Sequence, residues 1–394
     1  MARPVPHRPR LLNARGARSW AEIDCAALRE NACQFKKRIG NAELIAVVKA
    51  NAYGHGAPEI AAALHPFVDR FAVGSPSEAA QLRETGVQKP ILLLYPLFKD
   101  ELEAALMADA EITAAGADEI ERADQTARRL NATASVHIAL NTGMNRYGAD
   151  PGELPALVQK VQDCPALRLA GVSTHFTEAG IPDSAFTQQQ LKAFLNAVQP
   201  LRLAAHFPRP LIHAANTASA LNFPESALGA ARVGLGLYGV YPHPKTLRSV
   251  ALKPVLSWKT RIASIVHLKP GDALSYNRSF TAERPMRAAV VPVGYADGFR
   301  PAARMKPLTG EGVKVLTRGK FAHILGDVMM DAFMFDVTDI SEAQTGTETT
   351  LLGEDGGKRI GAEEAAARFG THPYELLAGV GERVQRVYLN RGEK

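Results

Sequence analysis

Residues 46–56 read Ala46-Val-Val-Lys49-Ala-Asn-Ala-Tyr53-Gly-His-Gly56. The apolar, β-branched run from Ile45 to Val48 predicts a strand, and Lys49 follows it at once. A Gly-rich turn ends at Gly56, and Ala57 to Leu64 has helix-forming composition with Pro58 near its start. A strand that ends in a lysine and opens into a helix puts that amine at the carboxyl edge of a sheet. In parallel α/β folds the active site lies at that edge. An amine placed there suits Schiff-base chemistry with a carbonyl cofactor.

Working outward, short apolar runs alternate with helical patterns as far as about residue 235. Strands are expected near 45–49, 70–74, 91–95, 111–114, 135–140, 169–174, 211–213 and 231–234. Amphipathic segments such as Ser77 to Thr85, Ala117 to Leu130, Glu153 to Asp163 and Thr187 to Val198 lie between them. Eight βα repeats predict an α/β fold, a (β/α)8 TIM-type barrel. The alternative is an open doubly wound sheet, but its Gly-x-Gly-x-x-Gly fingerprint is absent after the first strand. After about 245 the character changes. Strand-like runs at 255–268, 288–293, 313–325 and 349–352 are separated by turns such as Lys269-Pro-Gly-Asp272 and Asp355-Gly-Gly357. Few helices intervene before Ala362 to Phe369. The expected organisation is an arm over 1–18, a barrel over 19–245 and a mostly β C-terminal domain over 246–394.

The 394 residues suffice for two cores, and 46% hydrophobic with 22% charged residues fits a globular chain. No apolar run is long enough to cross a membrane. Arg3, Arg8, Arg10, Arg15 and Arg18 stand in the first 19 residues without an acid. That segment has no continuous apolar stretch, so it reads as a basic arm and not a secretory signal. Removing those five from the 46 basic residues leaves 41 against 40 acids. Most of the net charge of +6 therefore belongs to the arm, and no nucleic-acid partner is implied. Cys25, Cys33 and Cys164 are too few and scattered for a disulfide framework, and no Cys/His cluster has metal-ligand spacing.

Further motifs follow in order: Asn141-Thr-Gly-Met-Asn-Arg146, His213-Ala-Ala-Asn216, Arg232 with Tyr238-Gly239, Ser275-Tyr276, Gly294-Tyr-Ala-Asp-Gly298, Met330-Asp331 and Tyr374-Glu375. With the Lys49 segment, this series resembles the alanine racemase family, the fold-type III racemases that use pyridoxal 5'-phosphate. The resemblance implies a barrel followed by a β domain, in agreement with the periodicity. It implies that Lys49 holds the resting cofactor and acts as one base, with Tyr276 as the other. The two would serve opposite faces of the substrate and come from different subunits of a cytoplasmic homodimer. Arg232 would face the pyridine nitrogen, where an always-charged donor disfavours ring protonation. His175 would support Arg232. Tyr53, Thr217, Gly234, Leu235 and Tyr374 match phosphate-binding positions. Arg146 matches the arginine that reaches cofactor and substrate carboxylate, Met330 a residue whose backbone N–H binds that carboxylate, and Tyr295 a residue of the substrate entrance.

The sequence also departs from the family. Many alanine racemases carry a carbamylated lysine that braces the arginine, where this chain has Ala139, followed by Leu140-Asn141. Asp327 follows Gly326 where an arginine is frequent. Thr217, Val233 and Ala378 replace a common serine, proline and cysteine. The expected reaction is interconversion of L- and D-alanine, a peptidoglycan precursor. A broad-specificity or basic amino-acid racemase is the variant suggested by Ala139, Asn141 and Asp327. A non-catalytic pyridoxal-phosphate carrier or a related decarboxylase is the alternative class.

Overall fold

The computed structural model describes residues 16–203, 209–300 and 312–391. The described residues form two compact units, divided at 24/25 and 253/254. Strand β1 (Ser19–Asp24) belongs to the unit that also contains residues 254–391.

The other unit is a closed barrel of eight parallel strands: β2 (Glu43–Val47), β3 (Arg70–Val73), β4 (Ile91–Pro96), β5 (Ala110–Ala114), β6 (Ala134–Ala139), β7 (Leu167–Ser173), β8 (Leu211–Asn216) and β9 (Ala230–Val233). β9 closes on β2 through the register Glu43↔Ala230 to Ala46↔Val233. The expected strands all fall on these eight, within a few residues. Helices cover the outside. The helix Cys25–Ile39 buries Leu28, Ala32, Phe35 and Ile39, a stripe at the three-to-four-residue spacing of one helical face. Each such large side chain contributes roughly 1.5–3 kcal/mol on burial. In Ala57–Leu64, Pro58 sits in the first turn, where its missing N–H leaves no bond unmade. The β6–β7 register slips between Val136 and His137, so that His137 lies opposite Gly171.

In the second unit the strands are β1, β10 (Leu256–Arg261), β11 (Ser264–Leu268), β12 (Ala273–Leu274), β13 (Phe280–Thr281), β14 (Met286–Val291), β15 (Lys314–Thr317), β16 (Lys320–Leu325), β17 (Phe333–Asp336), β18 (Glu348–Asp355), β19 (Lys358–Ile360) and β20 (Gln385–Leu389). The main sheet runs β11-β14-β17-β16-β15-β18-β10-β1-β20, with β19 on β18 and a separate β12–β13 pair. Its aromatic core centres on Phe299. That ring stacks on Phe333 at 4.7 Å and meets Phe369 and Trp258 edge-on at 5.0 and 5.9 Å.

Two expected boundaries shift. The sequence pattern places residues 19–24 in the barrel, but β1 pairs antiparallel with β10 and parallel with β20. Residues 246–253, assigned to the β domain, stay with the barrel. Asn31 holds Lys253 by a reciprocal pair, Lys253 N–H to Oδ1 at 2.9 Å and Nδ2 to the Lys253 carbonyl at 2.8 Å. Residues 1–15 of the expected arm lie outside the described residues. Arg18 is tied to the β unit by an ion pair with the buried Asp297 carboxylate at 3.2 Å.

Candidate active site

Lys49 leaves β2 into an unusual turn. Ala50, Asn51, Ala52 and Tyr53 all have φ near +53°, one turn of left-handed helix built without glycine. Each L-residue held there costs roughly 1–2 kcal/mol. Local bonds offset the cost. The Glu78 carboxylate accepts from Ala50 N–H at 2.6 Å and from Gly74 N–H at 2.7 Å. Asn51 Oδ1 accepts from Ala57 N–H at 2.8 Å, starting the next helix. Gly54 and Gly56, at φ +80° and +98°, complete the turn at angles that favour glycine. The turn holds Lys49 so that Nζ donates to the Tyr95 hydroxyl at 2.9 Å, at the end of β4. Burial would raise the Tyr95 pKa. The Lys49 hydrogen bond and the charges of Lys49 and Arg146 outweigh burial and bring it below the usual tyrosine value.

Arg146 stands beside them. Its guanidinium lies 5.3 Å from the Tyr95 ring centre and 4.8 Å from that of Tyr147, and Nη2 donates to the Tyr147 hydroxyl at 3.2 Å. Tyr147 is itself held by the Leu94 carbonyl. Asn141 shapes the loop that carries Arg146, its Oδ1 accepting from Gly143 and Asn145 N–H at 3.1 and 3.0 Å. Ala139 is buried, and its side chain carries no polar atom.

Arg232, near the end of β9, is buried. Nη1 donates to His213 Nδ1 at 2.6 Å and to the His213 carbonyl at 3.1 Å. Nη2 donates to the carbonyls of Thr174 and Ala214 at 2.7 and 3.0 Å and approaches His175 Nδ1 at 3.4 Å. Burial first, and the Arg146 charge next, lower its pKa to about 10, so it stays a cation at neutral pH. Burial together with Arg232, Arg146 and Lys49 drives His175 down to about 3, so that imidazole is neutral.

A cluster of hydroxyls and backbone N–H groups lies on the same rim. Thr217 opens the helix Thr217–Asn222, and its Oγ1 accepts from Gly234 and Gly236 N–H at 3.0 and 3.5 Å. Leu235 begins the following 3-10 turn. A Cβ on Gly234 would stand 2.5 Å from the Tyr53 hydroxyl. This close backbone approach, with hydroxyls and main-chain N–H groups converging, fits a phosphate. The amine of Lys49 fits the aldehyde, and the Arg232 cation the ring nitrogen, of pyridoxal phosphate.

The remaining expected residues lie in the β unit. Tyr295 and Met330 are brought together: Tyr295 N–H donates to the Met329 carbonyl and Ala296 N–H to that of Met330, both at 3.1 Å. Asp331 pairs with Arg383 at 2.6 Å, a structural use. Tyr276 is 70% exposed. Its loop is pinned by Ser275 Oγ, which accepts from Asp327 N–H at 3.2 Å. Tyr374 sits in the helix Pro373–Ala378 with its ring edge-on to His372.

Sequence reading missed Tyr95, Tyr147 and Glu78 around Lys49, and the buried Glu111 and His137 beneath Arg232. Tyr95 had a usable signal, a polar group closing the apolar run Ile91-Leu-Leu-Leu94. Glu78 had none, because a glutamate in the first turn of a helix is ordinary.

A closed parallel barrel with a strand-end lysine and a glycine-lined cluster of hydroxyls and backbone N–H groups, joined to a mostly β unit, defines the class of two-domain barrel enzymes that fold-type III racemases represent. Residues 23–242 match the alanine racemase N-terminal domain and residues 255–388 its C-terminal domain. An alanine racemase of Halothermothrix orenii is 36% identical over 378 residues, covering 95% of this chain and 97% of the relative. A solved alanine racemase of Clostridium difficile superposes with a TM-score of 0.88 at 30% identity, covering 95% and 96% of the two chains. Another, from Bacillus anthracis with bound L-Ala-P, gives 0.86 at 32% identity and 96% coverage of both. The chain belongs to the alanine racemase family and is an enzyme of that family.

Proposed function

We propose that this enzyme interconverts L-alanine and D-alanine with pyridoxal 5'-phosphate, using Lys49 and Tyr276 as its two bases. The observation that carries the reading is the convergence on one barrel rim of the Lys49 amine, the Arg232 cation and the cradle of Tyr53, Thr217, Gly234 and Leu235. Tyr374 would add a further hydroxyl for the phosphate. When bound, the cofactor supplies the electron sink that makes the Cα proton removable.

In this reading Lys49 Nζ takes or returns the proton on one face and the Tyr276 hydroxyl does so on the other. Lysine and tyrosine have reference pKa values near 10, so the two are matched for a reversible reaction. Arg232 stays charged and so disfavours protonation of the ring nitrogen. This limits charge delocalisation and with it side reactions. Neutral His175 leaves that cation undiminished. Arg146 binds the substrate carboxylate, helped by Met330 N–H, and Tyr295 lines the approach. The exposure of Tyr276 in the single chain supports a homodimer in which each copy lends this tyrosine to the other's lysine. A cytoplasmic location belongs to the same reading.

The test is a chiral assay of purified, cofactor-loaded protein on alanine, serine, lysine, arginine and ornithine. Turnover of alanine foremost is expected, with a yellow protein whose Schiff-base absorption vanishes in Lys49→Ala. Preference for the basic substrates would replace alanine with the broad-specificity reading. A yellow protein with no turnover would leave the carrier or decarboxylase class.

A further inference from the structure

Beneath Arg232 a single file of side chains crosses the barrel interior. Arg232 Nη1 meets His213 Nδ1 at 2.6 Å, and His213 Nε2 meets His137 Nδ1 at 3.0 Å. His137 Nε2 meets Glu111 Oε2 at 3.0 Å. Both Glu111 oxygens also accept from Arg70 Nη1, and Arg70 Nε reaches Glu43 at 2.5 Å. Both imidazoles are fully buried, and Glu111 is nearly so.

Hydrogen-bond chemistry gives the file one direction. A guanidinium can only donate, so His213 Nδ1 must accept and its proton sits on Nε2. His137 Nδ1 then accepts and its proton also sits on Nε2. That proton needs an acceptor, and a carboxylate can do nothing else. Burial and the Arg232 charge hold His213 well below its usual pKa, in keeping with a neutral ring. Burial would raise the Glu111 pKa, but His137 and Arg70 bring it down to about 2.

Two further observations show that the file is built. The His137 ring occupies space that only a glycine leaves. A Cβ on Gly171 would lie 2.3 Å from His137 Nδ1 and 2.6 Å from the Leu211 carbonyl. The β6–β7 register slip sets His137 opposite that glycine. Moreover, both terminal nitrogens of Arg232 are occupied by His213, Thr174 and Ala214. Nε–H is left without a protein acceptor among the described residues. All its acceptors are neutral, so the charge of this buried cation is met by carbonyl dipoles and, across two imidazoles, by Glu111.

We infer that Glu111 and His137 are positioning residues which, through His213, fix the imidazole tautomers and hold Arg232 with its Nε–H directed at the bound cofactor. The inference rests on the assignment of Arg232 to the cofactor's ring nitrogen made above.

The experiment follows the histidine-ring ¹⁵N signals of full-length, cofactor-loaded protein, with racemisation kinetics alongside. In the wild type, His137 and His213 give Nε2–H signals, and that of His213 does not titrate between pH 6 and 9. Glu111→Gln keeps shape but can donate as well as accept, so His137 is expected to split between Nε2–H and Nδ1–H forms; in the second it no longer accepts from His213, whose Nε2–H signal should shift. The cofactor absorbance should shift, and kcat should fall about tenfold, the scale on which outer partners of a ligating imidazole act. KM should stay within about twofold, because no substrate contact is lost. Gly171→Ala, which removes no polar atom, should reproduce the pattern by displacing the His137 ring. Unchanged His213 signals and kcat in a loaded, folded Glu111→Gln protein would overturn the inference alone. A wild-type protein that binds no pyridoxal phosphate would overturn the functional reading and this role with it.

Discussion

The Lys49 amine and the Tyr95 hydroxyl lie 2.9 Å apart, joining the ends of β2 and β4 across one side of the barrel mouth. The same phenol ring sits 5.3 Å from the Arg146 guanidinium, so one side chain meets both cations. Tyr95→Phe separates the two contacts, because it keeps the ring and removes the hydroxyl. A hydrogen bond to a charged group contributes about 1.5–3 kcal/mol. The expected result is a kcat lower by about tenfold with KM nearly unchanged. Steady-state kinetics in both directions would check it, and an unaltered kcat would leave Tyr95 as packing only.

Where many alanine racemases carry a lysine that braces this arginine, the chain has Ala139, whose side chain has no polar atom. The Tyr95 and Tyr147 rings and the Asn141 turn do the orienting instead. Asn141→Ala removes two acceptor bonds that shape the loop, each worth about 1 kcal/mol. KM for the amino acid should rise by about tenfold or more, with a smaller effect on kcat. The same KM in variant and wild type would mean that the loop holds its form without Asn141.

Much of this fold was legible in the sequence because barrel strands advertise themselves as apolar runs at regular spacing. Lys49, Arg232 and Thr217 were legible because each stands at an element end within a recognisable motif. The place of β1 is not legible for a physical reason: its partners, β10 and β20, are more than 200 residues away, and its pattern resembles any first barrel strand. The file beneath Arg232 was hidden in a different way. Glu111 and His137 each look like an ordinary strand residue, and only barrel closure aligns them with His213. Gly171 likewise gains meaning only from the ring that fills its missing Cβ.

Acid should destabilise the barrel through groups whose pKa values are lowered by folding. His175 is held at about 3, by burial and neighbouring cations, against 6.5 when unfolded. Between those values the unfolded state binds the extra proton, so stability falls as pH drops from about 6.5 towards 3. Glu111, at about 2 against 4.5, adds a loss of the same sign as pH falls from about 4.5 to 2. Denaturant midpoints across pH 3 to 7 should decline on the acid side. The decline should be shallower in His175→Asn. A parallel decline in that variant would show that His175 is not among the groups responsible.

Gly234→Ala should weaken cofactor retention. The added methyl would meet the Tyr53 hydroxyl at 2.5 Å, so the tyrosine or the Gly234 loop must move. Overpacking of this kind costs about 1–3 kcal/mol. The Kd for pyridoxal phosphate should rise by about tenfold or more, while the free phosphate-less aldehyde, pyridoxal, should bind as it does to wild type. Equal weakening for both would locate the damage outside the cradle.

Tyr276 is 70% exposed in the single chain, and its backbone is fixed by the Ser275–Asp327 bond. The two-base reading gives this exposed phenol one face of the substrate and Lys49 the other. Tyr276→Phe should therefore slow Cα–H exchange of one enantiomer far more than that of the other. A positioned base contributes about 10²- to 10⁴-fold, so the asymmetry should reach at least about a hundredfold. Deuterium uptake into L- and D-alanine, followed separately by NMR, measures it. Mixing Tyr276→Phe with Lys49→Ala protein should restore part of the activity if each site takes its tyrosine from the second copy. Equal slowing of both enantiomers would remove Tyr276 from proton transfer, and a mixture with no recovery would remove the shared site.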